Sequence, residues 1–240
     1  MEVLCIGNSF TVDATRYLHS LARKKGDTIN TTVLYIGGCT LERHYRNMLG
    51  DKRDYTLYTN GNNTGFPMSL HEALLNRKWD VITIQQGSIH SAKADMYDPF
   101  AESLVEYIRE CAPKAKLVIQ QTWAYEEGSD RLFNVGGYPT EAEMFADIEK
   151  AYDIMFEKVG AEDLIPSGKL LRMMKEAGIP TIHRDTLHVT FGLGRYALAL
   201  LWYAKLTGKD VEEDTFDDWD EPVTPEEVAI AKRCIAALLN

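Results

Sequence analysis

The 240-residue sequence has only four cysteines. Cys5, Cys39, Cys111 and Cys234 form no Cys-x-x-Cys pair and show no metal-ligand spacing. This excludes a disulfide scaffold and fits the reduced, mostly buried thiols of a cytoplasmic protein. No stretch approaches the ~18 consecutive apolar residues of a membrane span. The first apolar run, residues 3–6, is too short for a signal-peptide core and has no basic region before it. Positive charge is also scarce, with 26 Lys+Arg against 36 Asp+Glu and a net charge of −10 with His neutral. Nucleic acids and anionic membranes require basic patches, so neither is expected as a main partner. Repeats and long linkers are missing too, so one domain is expected over residues 1–240.

What is present is an alternation of short apolar runs and longer amphipathic stretches. Strands are expected at residues 3–6, 32–36, 80–85 and 117–121, with a short fifth at Thr181-Ile182. Helices are expected at 14–25, 41–49, 69–77, 98–111, 140–159, 169–177 and 194–206. A last helix opens at Thr224-Pro225-Glu226-Glu227, a capping box with Pro at its first helical position. Thr11 and Asp13 are candidate caps of the first helix. Residues 51–68 read as an irregular excursion or a hairpin around Asn60-Gly61. The acidic run 210–221 reads as a solvated loop. Nearly all-apolar strands separated by helices predict an α/β fold, a parallel sheet covered on both faces. Ligands of such sheets bind at the carboxyl ends of the strands.

The residues at those ends are chemically suggestive. After the first strand comes Gly7-Asn8-Ser9-Phe10. Ser9 fits either a nucleophile presented at a helix N-terminus or a helix cap. Gly37-Gly38-Cys39-Thr40 follows the second strand, and a backbone N–H there suits either an oxyanion donor or a plain turn. Cys39 has no activating His beside it in sequence. Gln85-Gln86-Gly87-Ser88 follows the third strand. A desolvated Gln amide needs partners, so this pair is either a functional donor or a loop tie.

Near the end, Asp185 precedes His188 by three residues, a spacing at which a carboxylate can orient an imidazole. His19, His44, His71, His90 and His183 lack such a partner, and no HExxH-type metal motif occurs. Gly192-Leu193-Gly194-Arg195-Tyr196-Ala197 matches a dinucleotide fingerprint in form only. No βαβ unit follows it, so the glycines are expected to start a closely packed helix.

Taken in order, these strand-end sites resemble the blocks of the SGNH (GDSL-like) hydrolase superfamily. Ser9 in Gly-Asn-Ser-Phe resembles block one, Gly38 the block-two glycine, and Asp185 with His188 the block-five Asp-x-x-His. Residues 6–11 and 184–208 are more similar still to its bacterial DUF4886-type branch, with Arg-Asp-x-x-His, Gly-x-Gly-Arg-Tyr and Leu-Thr-Gly all present. The usual block-three Gly-x-Asn-Asp is replaced by Gln85-Gln86-Gly87-Ser88-Ile89-His90. The resemblance makes Gln86 the substitute for the missing Asn.

The resemblance implies a three-layer α/β/α sandwich with a flavodoxin-like, mainly parallel five-stranded sheet. It implies a serine esterase acting on a small-molecule ester of a small acyl group, acetyl on a carbohydrate being one form. Ser9 would be the nucleophile, His188 the base and Asp185 its orienter. Ser9, Gly38 and Gln86 would form the oxyanion hole, with no cofactor and no metal. Tyr55, Tyr58, Trp123, Tyr125 and Tyr138 would supply either a sugar-stacking wall or ordinary loop packing. The alternative is a non-catalytic carbohydrate- or ligand-binding module on the same fold; a metal-dependent hydrolase is a third reading.

Overall fold

The structure is a computed structural model and describes residues 1–239. Its central strand β1 (Glu2–Gly7) is buried on both faces. Successive side chains of a strand point to opposite faces, and here the two sets feed two separate cores. Val3, Cys5, Val33, Val81, Val118 and Ile165 join one core, and Leu4, Ile6, Leu34, Ile82, Ile84, Leu117 and Ile119 the other. This is why the strands read as continuous apolar runs.

The other strands are β2 (Asn30–Tyr35), β3 (Tyr55–Thr59), β4 (Asn62–Met68), β5 (Val81–Ile84), β6 (Lys116–Gln120) and β7 (Asp163–Ile165). Their order across the sheet is β4-β3-β2-β1-β5-β6-β7. β2, β1, β5, β6 and β7 run parallel, in the flavodoxin-type 2-1-3-4-5 order. The helices among the described residues are α1 (Ser9–Thr15), α2 (Leu18–Lys24), α3 (Leu41–Leu49), α4 (Leu70–Asn76), α5 (Phe100–Cys111), α6 (Glu141–Val159), α7 (Ser167–Glu176), α8 (Leu193–Thr207) and α9 (Pro225–Leu239). α1, α2, α7, α8 and α9 cover the first core. α3, α4, α5 and α6 cover the second, which completes three layers. None of these helices is long and apolar enough to cross a membrane.

The sheet has seven strands rather than the expected five. The excess is the antiparallel hairpin β3–β4, which pairs along the free edge of β2. Asn60 and Gly61 both have positive φ, 49° and 78°, as a tight two-residue hairpin turn requires. The fifth parallel strand is β7, not Thr181-Ile182. That later segment folds on itself: His183 bridges Val189, and the Thr190 N–H donates to the Ile182 carbonyl at 2.8 Å. The expected first helix is two short ones, α1 starting at Ser9. Its cap is Asn8, not Thr11 or Asp13, with the Asn8 Oδ1 accepting from the Phe10 N–H at 3.0 Å.

Candidate active site

The C-terminal end of β1 is where the sequence-predicted residues meet. Gly7 lies at the strand's end, and a Cβ built there would fall 2.1 Å from Thr11 Oγ1. Only glycine lets the first turn of α1 fold back so tightly. Ser9 is thereby the first residue of α1, half-buried, with the helix axis behind it. Gly38 adopts a left-handed conformation (φ 59°), and a Cβ there would touch nothing within 4 Å. Its requirement is therefore conformational rather than steric. Among the described residues, no hydrogen-bond acceptor is found for the N–H of Ser9 or Gly38.

Ser9 and His188 are 179 residues apart in sequence and in contact in space: Ser9 Oγ lies 2.8 Å from His188 Nε2. His188 Nδ1 lies 2.8 Å from Asp185 Oδ2. An ionised carboxylate only accepts hydrogen bonds, so Nδ1 carries the proton and Nε2 is left to accept from the Ser9 hydroxyl. The other carboxylate oxygen, Oδ1, accepts from the backbone N–H groups of Leu187 and His188 at 3.2 and 2.7 Å. Burial works to raise the Asp185 carboxyl. The hydrogen bonds from the His188 N–H and ring, its charge, and the Leu187 N–H outweigh that, and hold it below the usual carboxylate range. Asp185 thus remains an acceptor, as orientation of a base demands.

The loop bearing Asp185 and His188 is braced from the segment after β6. The Trp123 Nε1–H donates to the Leu187 carbonyl at 2.9 Å, and the Glu126 N–H to the Thr186 carbonyl at 3.0 Å. Trp123 stacks flat on Phe10, centroids 3.9 Å apart, and the edge of Phe10 meets His188 at 6.0 Å. Thr186 itself is held at φ 66°, a conformation that costs energy in a β-branched residue and clusters at functional sites. On the other side, Gly194 lets α8 start against Val189; a Cβ there would lie 2.6 Å from the Val189 side chain. The expected close packing at these glycines is what the structure contains.

Gln86, expected as an oxyanion donor, is instead engaged by the backbone around it. Its Oε1 accepts from the Leu41 and Gly87 N–H groups at 3.0 and 2.9 Å, and its Nε2 donates to the Met96 carbonyl at 3.0 Å. Gln85 takes the opposite face, and it is this amide that reaches the Ser9 side: Nε2 donates to Asn8 Oδ1 at 2.6 Å. Of the two amides it is therefore Gln85, not the expected Gln86, that contacts the residue beside Ser9. Asn8 also donates, from Nδ2, to the Cys39 carbonyl at 3.1 Å. One side chain therefore caps α1, receives Gln85 and ties down the Gly37–Cys39 turn.

The aromatic wall is mostly absent. Tyr55, Trp123 and Tyr125 are all buried, Tyr138 is tied to Asp147, and Tyr58 packs on Tyr35. Cys39 does have a histidine nearby, which the sequence hid: His44 Nδ1 lies 3.5 Å from Sγ and 2.9 Å from the Tyr55 hydroxyl. Burial pushes the Cys39 thiol up to about 12 and His44 down to about 3. A neutral thiol beside a neutral imidazole is not an activated nucleophile. Among the described residues, no group of three or more His, Cys, Asp or Glu could hold a metal ion. Cavities of about 650 and about 600 Å³ lie elsewhere, one between α8 and α9 and one at the opposite edge of the sheet; no triad residue lines either.

Given no site role by the sequence reading were Asp13, Arg184 and Arg195, which form an ion cluster of one buried carboxylate and two partly buried arginines. The available signal was Asp13 itself, a charge on the same helix face as Phe10 and Ala14.

Comparison with known proteins bears on the family and the fold. No curated protein matches the chain. A family model described as a domain of unknown function, DUF4886, matches residues 2–237. A DUF4886 family protein from Bacteroides uniformis is similar over 100% of this chain and 95% of its own, at 32% identity and a TM-score of 0.90. A candidate SGNH hydrolase from Slackia heliotrinireducens is similar over 86% of this chain and 98% of its own, at 24% identity and a TM-score of 0.62. An acetylxylan esterase from Geobacillus stearothermophilus shares the fold over 88% of this chain and 96% of its own, at 13% identity and a TM-score of 0.56. On this match of sequence and structure across its whole length, the chain belongs to the DUF4886 family, with the fold of the SGNH hydrolases.

Proposed function

We propose that the protein is a serine esterase that hydrolyses small acyl esters. The observation that carries this reading is the unbroken relay Ser9 Oγ–His188 Nε2 and His188 Nδ1–Asp185 Oδ2, each link 2.8 Å. Such a relay at a helix N-terminus makes a hydroxyl a nucleophile.

In this mechanism His188 takes the Ser9 proton as Oγ attacks the ester carbonyl. The N–H groups of Ser9 and Gly38 receive the developing oxyanion, aided by the N-terminus of α1. His188 then hands the proton to the leaving alcohol, and an acyl-Ser9 intermediate remains. Water, deprotonated by His188, attacks that acyl group; collapse returns the proton to Ser9 and releases the acid. Asp185 stabilises the imidazolium in both halves. Gln86 is given no part in these steps, because its amide is engaged by Leu41, Gly87 and Met96.

Neither of the two cavities described above is lined by Ser9, so the acyl preference rests on the family resemblance and on the substrate panel below. The acetylxylan esterase neighbour makes acetylated sugars worth including among the substrates. Burial of Trp123 and Tyr125 removes the stacking wall that would have favoured sugars on its own account.

The test is a panel of p-nitrophenyl esters of rising acyl length, with acetylated sugars, assayed on wild type and Ser9→Ala in parallel. The acetyl ester is expected to turn over fastest, and Ser9→Ala to lower kcat by about 10³-fold or more. Turnover retained by Ser9→Ala contradicts the mechanism. Binding of acetylated sugars without any turnover identifies a non-catalytic module instead.

A further inference from the structure

A second set of charges links the elements that carry the relay. Asp13 sits on α1 one helical turn past Ser9 and is only 1% exposed. A buried carboxylate requires partners, and it has two. Arg184 Nη1 lies 3.0 Å from Oδ2, and Arg195 Nε lies 2.8 Å from Oδ1. Arg195 is in the first turn of α8 and also holds Asp220 at 2.8 Å. Both guanidinium groups lie over the ring of Phe191, 4.2 and 4.4 Å from its centroid.

Arg184 immediately precedes Asp185 and makes three contacts, one to α1 and two within the loop. Its side chain binds Asp13, the same Nη1 donates to the Val189 carbonyl, and its backbone N–H donates to the His188 carbonyl at 2.9 Å. The ion pair therefore joins the helix that carries Ser9 to the loop that carries His188, on either side of His188 itself. Stability alone is a poor account of such a cluster, because a buried ion pair is often no better than well-packed apolar residues. Geometry is a better one. The Asp185 side chain is half exposed and Thr186 is held at positive φ; Trp123 and Glu126 brace the middle of the loop, while Arg184 ties its ends to the helix of Ser9.

We propose that Arg184, anchored by Asp13, is the positioning residue that registers His188 against Ser9. This rests on the reading of Ser9, His188 and Asp185 as a catalytic triad. A displacement of about 1 Å between reacting groups can cost about 10²-fold in rate, so the signature of lost registration is a lower kcat rather than a higher KM. Both side-chain hydrogen bonds of Arg184 come from a single nitrogen, a role one ammonium can fill. Lysine should then rescue where methionine does not.

The experiment compares wild type, Arg184→Met and Arg184→Lys by steady-state kinetics on p-nitrophenyl acetate, thermal melts, and the downfield imidazole N–H resonance of His188 in proton NMR, assigned by its loss in His188→Gln. Arg184→Met is expected to lose about 10–10²-fold in kcat with KM within about twofold, and to lose or broaden the resonance. Arg184→Lys should recover most of both. Should Arg184→Met fail to fold, Asp13→Asn makes the same test, since it removes the anchoring charge while keeping the side-chain shape. The proposal is overturned if the folded Arg184→Met or Asp13→Asn protein keeps kcat and the resonance. It is likewise overturned if Lys is no better than Met. If wild type turns over no ester, the esterase reading fails; the resonance then decides the positioning proposal by itself, its loss in Arg184→Met supporting it and its persistence overturning it.

Discussion

Gln85 donates a hydrogen bond to Asn8 at 2.6 Å across 77 residues of sequence, and this contact defines how the nucleophile is framed. Asn8 precedes Ser9 directly. Its Oδ1 accepts from the Phe10 N–H and from Gln85 Nε2, while its Nδ2 donates to the Cys39 carbonyl. The end of β5, the start of α1 and the Gly37–Cys39 turn are thus held by one amide. Gly87 fits the same frame, since a Cβ there would lie 2.8 Å from the Cys39 carbonyl oxygen.

An asparagine both donates and accepts, whereas an aspartate only accepts. In Asn8→Asp one carboxylate oxygen can keep the Phe10 and Gln85 contacts. The other would face the Cys39 carbonyl, oxygen against oxygen. The expected outcome is a loss of roughly 1–3 kcal/mol of stability, together with a lower kcat as the Gly38 turn shifts away from Ser9. Urea unfolding and steady-state kinetics on the purified variant check both. Unchanged kcat would separate the Asn8–Cys39 contact from catalysis.

The two glutamines should respond differently. Gln86→Ala leaves the Leu41 and Gly87 N–H groups and the Met96 carbonyl without their partner, a cost of about 2–4 kcal/mol. For a chain of this size that is a drop of roughly 5–15 °C in Tm. Gln85→Ala removes one of two donors to Asn8 Oδ1 and should cost less stability but more kcat. Melts and kinetics on the pair decide it. A Gln86→Ala enzyme that melts normally and loses about 10²-fold in kcat would restore Gln86 as an oxyanion donor.

Much of this could be read from residues 1–240 alone. Apolar runs at strand spacing gave away a parallel sheet, because a sheet buried on both faces leaves no polar alternation. The Asp185-x-x-His188 spacing brought those two together because three residues make one turn, a purely local relation. Non-local relations were harder. The period-two alternation says that Gln85 and Gln86 face opposite ways but not which face holds Ser9; that depends on the helices packed against each side. β7 is only three residues long and begins with Asp163, so it carries no apolar run to recognise. Asp13 looked like a cap because short polar residues near helix starts usually are. Its true partners, Arg184 and Arg195, lie 171 and 182 residues away.

Two buried histidines should weaken the fold as the pH falls. Burial pushes His44 down to about 3; it also pushes His183 down to about 4, against a hydrogen bond with the Ala124 carbonyl that works to raise it. An unfolded chain protonates both near pH ~6.5, while the folded chain keeps both neutral. Between pH ~6.5 and ~4 the unfolded state therefore binds more protons, so stability falls as pH falls, by about 1.4 kcal/mol per pH unit per histidine. The lowered Asp185 carboxyl acts in the same direction at still lower pH. Urea unfolding at pH 7, 6, 5 and 4.5 should show a steady decline through this window. A flat profile down to pH 4.5 would mean that these imidazoles are reached by solvent in the fold.

The central claim is that the 2.8 Å contact between Ser9 and His188 makes Ser9 a nucleophile. The most direct measurement is the rate at which a fluorophosphonate labels the protein, with the modified residue located by peptide mass spectrometry, for wild type, Ser9→Ala and His188→Ala. The account predicts one label per chain, on Ser9, absent in Ser9→Ala and slowed by about 10³-fold or more in a folded His188→Ala. Labelling of another residue, or of Ser9 at the same rate without His188, would contradict it.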